Sequence, residues 1–243
     1  MKILIPMAGE GSRFASAGYT FPKPLIDVEG KPMIERVVEN FSDYASEFIF
    51  LVRKEHLEKY PGMRSTLHRI TKGRFRIVEV DRLTEGAACT ALLAEEYIDR
   101  DEDLLIANSD QILECSMENF GYLKTHSPVD GIVFCFNATH PKWSFVEIGD
   151  FPARYGSVIR VAEKEPISDI ATCGVYWYRK GSDFVKAAKQ MVGKNIRVNN
   201  EFYIAPVYNE LIGVGGTVIP FFVDEMHGIG TPEDLNAYLN RNR

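Results

Sequence analysis

Cysteine is scarce: Cys89, Cys115, Cys135 and Cys173 are the four in a chain of 243 residues. They are scattered and no pair has C-x-x-C spacing. Zinc and dithiol redox chemistry are therefore unsupported, and buried free thiols are expected. Histidine is also sparse. His56, His68, His126, His140 and His227 show no ligand spacing. No long basic run is present and the net charge is −6, so nucleic acid is a poor partner. No apolar stretch is long enough to span a bilayer, and no membrane partner is expected. The Met1–Met7 run is too short for a signal peptide and stops at glycines. A reduced, cytoplasmic protein is the expectation. Internal repeats, low-complexity segments and long linkers are missing too, which predicts one domain over residues 1–243.

What is present suffices for a real core: 45% of residues are hydrophobic and 26% charged. Apolar runs at Lys2–Met7, Phe48–Val52, Arg76–Val80 and Leu104–Ala107 lack alternation, as strands covered on both faces do. Between them, Lys31–Tyr44, Glu55–Ile70 (interrupted at Pro61-Gly62) and Glu85–Tyr97 read as helices. This alternation predicts an α/β fold, a Rossmann-like, doubly wound, mixed and mostly parallel sheet. From Gly131 the texture changes. Gly131–Asn137, Phe145–Ile148, Ser157–Val161 and Cys173–Tyr178 predict a β-rich insertion or lid. Helices are expected at Phe184–Val192 and Asn200–Ile212, a strand at Thr217–Val223, and a closing helix at Pro232–Leu239 with Thr231 as N-cap.

The first strand runs into Ala8-Gly9-Glu10-Gly11-Ser12-Arg13, and Phe21-Pro22-Lys23-Pro24-Leu25 follows. Glycine lets backbone N–H groups approach an anion, and Arg13 and Lys23 can add charge-assisted hydrogen bonds. The loop is not a dinucleotide fingerprint, because Phe14 stands at the third glycine, and it lacks the Gly-Lys-Ser/Thr of a Walker loop. Ligands of such sheets collect at strand carboxyl ends, where this loop and Asn108-Ser109-Asp110 could share a crevice.

Together, the two halves of that signature resemble the nucleotidylyltransferases that activate sugar phosphates, the sugar-nucleotide pyrophosphorylases and their cytidylyltransferase relatives. Thr84-Glu85-Gly86-Ala87-Ala88 resembles the family's base-contacting loop, and Asn108-Ser109-Asp110 matches its metal-binding aspartate. Val161-Ala162-Glu163-Lys164 resembles the acceptor-side Glu-Lys. Thr172-Cys173-Gly174 resembles the following glycine-bearing strand, and Gly228-Ile229-Gly230-Thr231-Pro232 the segment that opens the last helix. The resemblance covers nearly the whole chain.

The resemblance implies nucleotidyl transfer from a nucleoside triphosphate to a phosphorylated small-molecule acceptor. Arg13 and Lys23 would be catalytic. Ala8, Gly9, Glu10, Gly11, Ser12, Glu85, Gly86, Ala87 and Ser109 would bind nucleotide, and Glu163, Lys164, Gly174 and Glu201 the acceptor, within a β-rich part over 131–215. Mg²⁺ would sit on Asp110. Many members carry a second metal aspartate where this chain has Gly228; Asp224 is the candidate replacement, with a solvated strand-end carboxylate an equal reading. Pro6-Met7 replaces the common leucine-alanine, so base choice does not transfer. Overall texture resembles enzymes of capsule and surface-polysaccharide pathways, which favours CTP over UTP or dTTP. A non-catalytic nucleotide-binding regulator of the same fold is the alternative, supported only by Gly228. An NAD-dependent oxidoreductase is disfavoured by Phe14. Homo-oligomerisation is left open.

Overall fold

The computed structural model describes residues 1–149 and 156–241. Residues 150–155 of the expected β-rich stretch lie outside them. β1 (Lys2–Pro6) is followed by α1 (Ser12–Ser16), a two-residue ribbon β2 (Asp27–Val28) and β3 (Lys31–Pro32), and α2 (Met33–Glu39). β4 (Glu47–Arg53) precedes α3 (Lys54–Lys59) and α4 (Gly62–Thr71). β5 (Phe75–Val80) precedes α5 (Ala87–Leu92) and α6 (Glu95–Ile98). Then come β6 (Leu104–Ala107), β7 (Gln111–Glu114), α7 (Met117–His126), β8 (Gly131–Asn137), β9 (Ser144–Ile148), β10 (Val158–Glu163) and β11 (Ile170–Tyr178). α8 (Gly181–Gly193), α9 (Val207–Gly213), β12 (Val218–Phe222), β13 (Glu225–Gly228) and α10 (Pro232–Leu239) complete the described chain.

β1 lies at the centre because both its faces are apolar. It pairs in parallel with β4 and β6, and β5 joins β4 in parallel. The pleat sends Leu4 to one core and Ile3 and Ile5 to the other. The Leu4 core is filled from α5, α8 and α9; the Ile3 core from α2, α4 and α7. Each fully buried aliphatic contributes roughly 1.5–3 kcal/mol. Beyond β6 the sheet turns mixed. β11 is antiparallel to β6 and β8, β12 is parallel to β8, and β9 and β10 branch from the other end of β11. The β-rich stretch thus extends the main sheet.

Three local expectations change. Lys31 and Pro32 leave the second helix for β3, and the β2–β3 ribbon runs on one pair further where Met33 N–H donates to the Ile26 carbonyl (2.8 Å). The helix expected over Glu85–Tyr97 breaks between Leu92 and Glu95. The helix expected over Asn200–Ile212 begins only at Val207. Asn199 and Asn200 take left-handed φ values of 49° and 63°, and Pro206 has no N–H to donate. β7, α7 and β13 are additions to the sequence reading. β13 lies antiparallel to β7, with Gly228 opposite Gln111 and Glu225 opposite Glu114.

Candidate functional site

The carboxyl end of β1 opens into a crevice of about 470 Å³. Met7 N–H donates to the Leu51 carbonyl (3.0 Å), which carries the β1–β4 pairing one residue further before the loop departs. Gly9 and Glu10 are exposed, and Gly11 turns the chain into α1 at φ +64°. A Cβ at Gly11 would stand 3.4 Å from Lys23 Cβ, so the glycine also lets the two halves of the signature pack together. Phe14 is buried in a third apolar cluster with Ile26, Val28, Met33, Ile229, Leu235 and Tyr238. It therefore pins the loop to the start of α10 and leaves Arg13 exposed at the crevice.

Pro22 and Pro24 bracket Lys23 in a single 3₁₀ turn. The Lys23 ammonium forms a direct hydrogen-bonded ion pair with Asp110 Oδ2. Asp110 follows β6, and its carbonyl accepts from Ile229 N–H (2.9 Å). Gly230 lies against this pair. A Cβ there would fall 2.3 Å from Asp110 Oδ2 and 3.5 Å from Lys23 Nζ, so only glycine leaves the pair its room. Gly174, at φ +70°, makes room for the Asn108 side chain: its absent Cβ would meet Asn108 Nδ2 at 2.4 Å. Its carbonyl accepts from Asn108 N–H (2.8 Å), which fixes the Asn108–Asp110 turn against β11.

Gly86 caps α5 at φ +129°, and Thr84 Oγ1 donates to its carbonyl (3.0 Å). Gly86 and Ala87 line the crevice together with Ala8, Ser12, the buried Ser109, and Glu201. Glu85 does not. Its carboxylate turns outward to Arg197, 2.5 Å away. Val80, Leu83 and Thr90 also line the crevice and were not among the expected site residues. Leu83 is a large apolar side chain left 48% exposed in a loop, and Thr90 lies one helical turn beyond Gly86, the spacing that could have found it.

The residues expected to bind the acceptor form a second group beside the crevice. Lys164, at φ 56°, donates from Nζ to the Tyr203 hydroxyl (2.5 Å) and from its N–H to the Trp143 carbonyl (3.0 Å). Glu163 accepts from the Ser144 hydroxyl. Burial raises the Glu163 carboxyl above its ordinary value; the Ser144 bond and Lys164 oppose this, while Glu201 adds to it. Burial likewise raises the Tyr203 hydroxyl. The four cysteines are free thiols, and burial pushes Cys115 up to about 11.

The structure does not bring Asp224 to Asp110. Asp224 N–H donates to the Glu114 carbonyl (2.8 Å), at the far end of the β7–β13 ribbon. The whole length of that ribbon, residues 111–114 against 225–228, intervenes, roughly 16 Å from Asp110 to the level of Asp224. At the near end, a Cβ on Gly228 would meet Trp143 Cη2 at 3.1 Å, so the indole occupies the space next to that position. Asp110 lines the crevice with Glu10 and Glu201, and such carboxylates have the chemistry to hold a hard divalent cation; Asp110 Oδ2 is already paired with Lys23.

Residues 3–115 match the family model described as a MobA-like NTP transferase domain. The chain is 29% identical to a nucleoside-diphosphate-sugar pyrophosphorylase from Vibrio cholerae RC9 (TM-score 0.84), with 98% of this chain and 100% of that one covered. The chain is similar to sugar-phosphate nucleotidylyltransferases. It is also 24% identical over 256 residues to the UTP–glucose-1-phosphate uridylyltransferase AglF of Haloferax volcanii, covering 99% of this chain and 96% of AglF. It is 25% identical over 184 residues to the bifunctional protein GlmU of Methanocaldococcus jannaschii. That match covers 74% of this chain but 40% of GlmU, so the chain spans well under half the length of this relative. Among the described residues, no helix is long and apolar enough to cross a membrane.

Proposed function

We propose that this protein is a nucleotidylyltransferase. It joins a nucleoside monophosphate, with CTP the favoured donor, to a phosphorylated small acceptor and releases pyrophosphate. The acceptor is a sugar 1-phosphate or a phosphorylated alcohol or amide, and the product a precursor for capsule or surface polysaccharide. One observation carries the reading: Lys23 and Asp110 meet directly beside a glycine loop, where two strand ends open into one crevice. The glucose-1-phosphate uridylyltransferase activity of AglF supports a sugar 1-phosphate; the residue texture supports CTP.

In this reading an acceptor phosphate oxygen attacks the α-phosphorus in line, and the bond to the pyrophosphate oxygen breaks. The attacking oxygen is already anionic, so the chain needs no general base, and catalysis is positioning and charge neutralisation. Arg13 and the Gly9–Ser12 backbone hold the β- and γ-phosphates. Lys23 neutralises charge near the α-phosphate. Gly86 and Ala87 flank the base, and Ser109 closes the floor. Lys164 takes the acceptor phosphate, while Glu163 and Glu201 accept from its hydroxyl or amide groups, near the Gly174 turn. Asp110 would hold Mg²⁺, which when bound supplies further neutralisation of phosphate oxygens. The residues 131–215 then form the acceptor part of a single catalytic domain.

The test is pyrophosphate release with CTP, UTP, dTTP, ATP and GTP, each crossed with sugar 1-phosphates and non-sugar phosphorylated acceptors. Release with at least one pair, highest with CTP, is expected. Nucleotide binding without release for any acceptor would favour the regulator instead.

A further inference from the structure

A tight hairpin joins the two halves of the crevice. Val198 N–H donates to the Glu201 carbonyl (3.0 Å) and Glu201 N–H to the Val198 carbonyl (2.9 Å), with the left-handed Asn199 and Asn200 at the tip. That is the geometry of a two-residue primed turn. The residue that leaves the hairpin, Phe202, is locked to the base side. Its N–H donates to the Glu85 carbonyl (2.8 Å), and its carbonyl accepts from Ala88 N–H (2.9 Å). A Cβ on Gly86 would fall 2.5 Å from both Phe202 N and O, so the two backbones have no room to slide.

Its neighbours face the acceptor side. Glu201 lines the crevice, and Tyr203 holds the Lys164 ammonium. Further on, the Asn209 amide brackets the Val161 backbone, accepting from its N–H and donating to its carbonyl, both at 2.8 Å. Val161 lies two residues before Glu163 on β10. Arg197 ties the parts together. Its guanidinium pairs with the Glu85 carboxylate (2.5 Å), donates to the Asn200 carbonyl (3.4 Å) and stacks 4.2 Å from the Phe202 ring centroid.

We propose that this hairpin transmits nucleotide binding to the acceptor side of the crevice, with Arg197 as its positioning residue. The proposal rests on the nucleotide site described above. A base held at Gly86, Ala87 and Thr90 fixes the Glu85–Ala88 turn. That turn shares two backbone bonds with Phe202, so Glu201 and Tyr203 are fixed with it, and Tyr203 sets Lys164. The coupling is reciprocal, and nucleotide and acceptor each tighten the other.

Hydrogen exchange of the whole protein tests this, with Mg²⁺ and CTP, UTP or dTTP and no acceptor. Nucleotide should slow exchange at 8–14, at 84–90 and also at 197–204. Arg197→Ala should keep the first two effects and weaken the third by roughly two- to fivefold, the scale of one exposed ion pair. The charge swap Arg197→Glu with Glu85→Arg should restore much of it, because it restores the ion pair but neither the stacking on Phe202 nor the bond to Asn200. Protection at 84–90 with none at 197–204 in the parent overturns the coupling, as does an Arg197→Ala protein identical to the parent. Failure of every triphosphate to protect 8–14 instead overturns the nucleotide site itself, and the coupling with it.

Discussion

Glu163 shows how a single carboxyl reports its surroundings. Burial raises it above the usual 4.5, against the opposing Ser144 hydroxyl. A carboxyl raised on folding keeps its proton more tightly in the native state. Its favourable contribution is therefore complete below 4.5 and is lost as pH climbs through the raised value. Glu163→Gln removes that loss. The melting temperature of the variant relative to the parent should rise between about pH 4 and about pH 8. A difference that stays flat across this range would contradict burial as the cause. Residues of the signature were readable because each has a chemical reason to be where it is. Asp224 misled because proximity in sequence to the Gly-Thr-Pro segment says nothing about which end of a ribbon a residue occupies. Leu83 was invisible because an apolar loop residue has no periodicity to betray it.

Gly86 belongs to the scale of elements, since it decides whether α5 and the 198–201 hairpin can touch. Gly86→Ala forces a Cβ to within 2.5 Å of the Phe202 backbone, at a φ of +129°. A destabilisation of roughly 2–4 kcal/mol is expected in urea melts, because backbone cannot swing aside as a side-chain tip can. A loss under about 0.5 kcal/mol would mean that the two elements are not locked. The same region shows why element boundaries escape sequence reasoning. Ala205–Ile212 has helical spacing, but the asparagines before it prefer a left-handed turn and Pro206 supplies the first-turn break. β7 and β13 escape for another reason. Each has four residues, and each exists only because the other lies beside it, 114 positions apart from Gln111 to Glu225.

At the scale of the molecule, the parallel half was legible because strands buried on both faces must be continuously apolar. β4 shows it most plainly, with Phe48 to Val52 all fully buried. The mixed half was legible only as texture. The pairing of β11 with β6 and β8 depends on contacts between segments about 70 and 40 residues apart, which no local pattern encodes. The layout that results places one strand end, one turn and one glycine around a single ion pair. The most direct test of its purpose is pyrophosphate release by the parent and by Lys23→Ala, measured with the best triphosphate and acceptor pair. With unchanged circular dichroism, kcat should fall roughly 100- to 1,000-fold, as when one preorganised donor to transition-state charge is removed. A Lys23→Ala protein that folds and turns over at the parental rate would contradict the account.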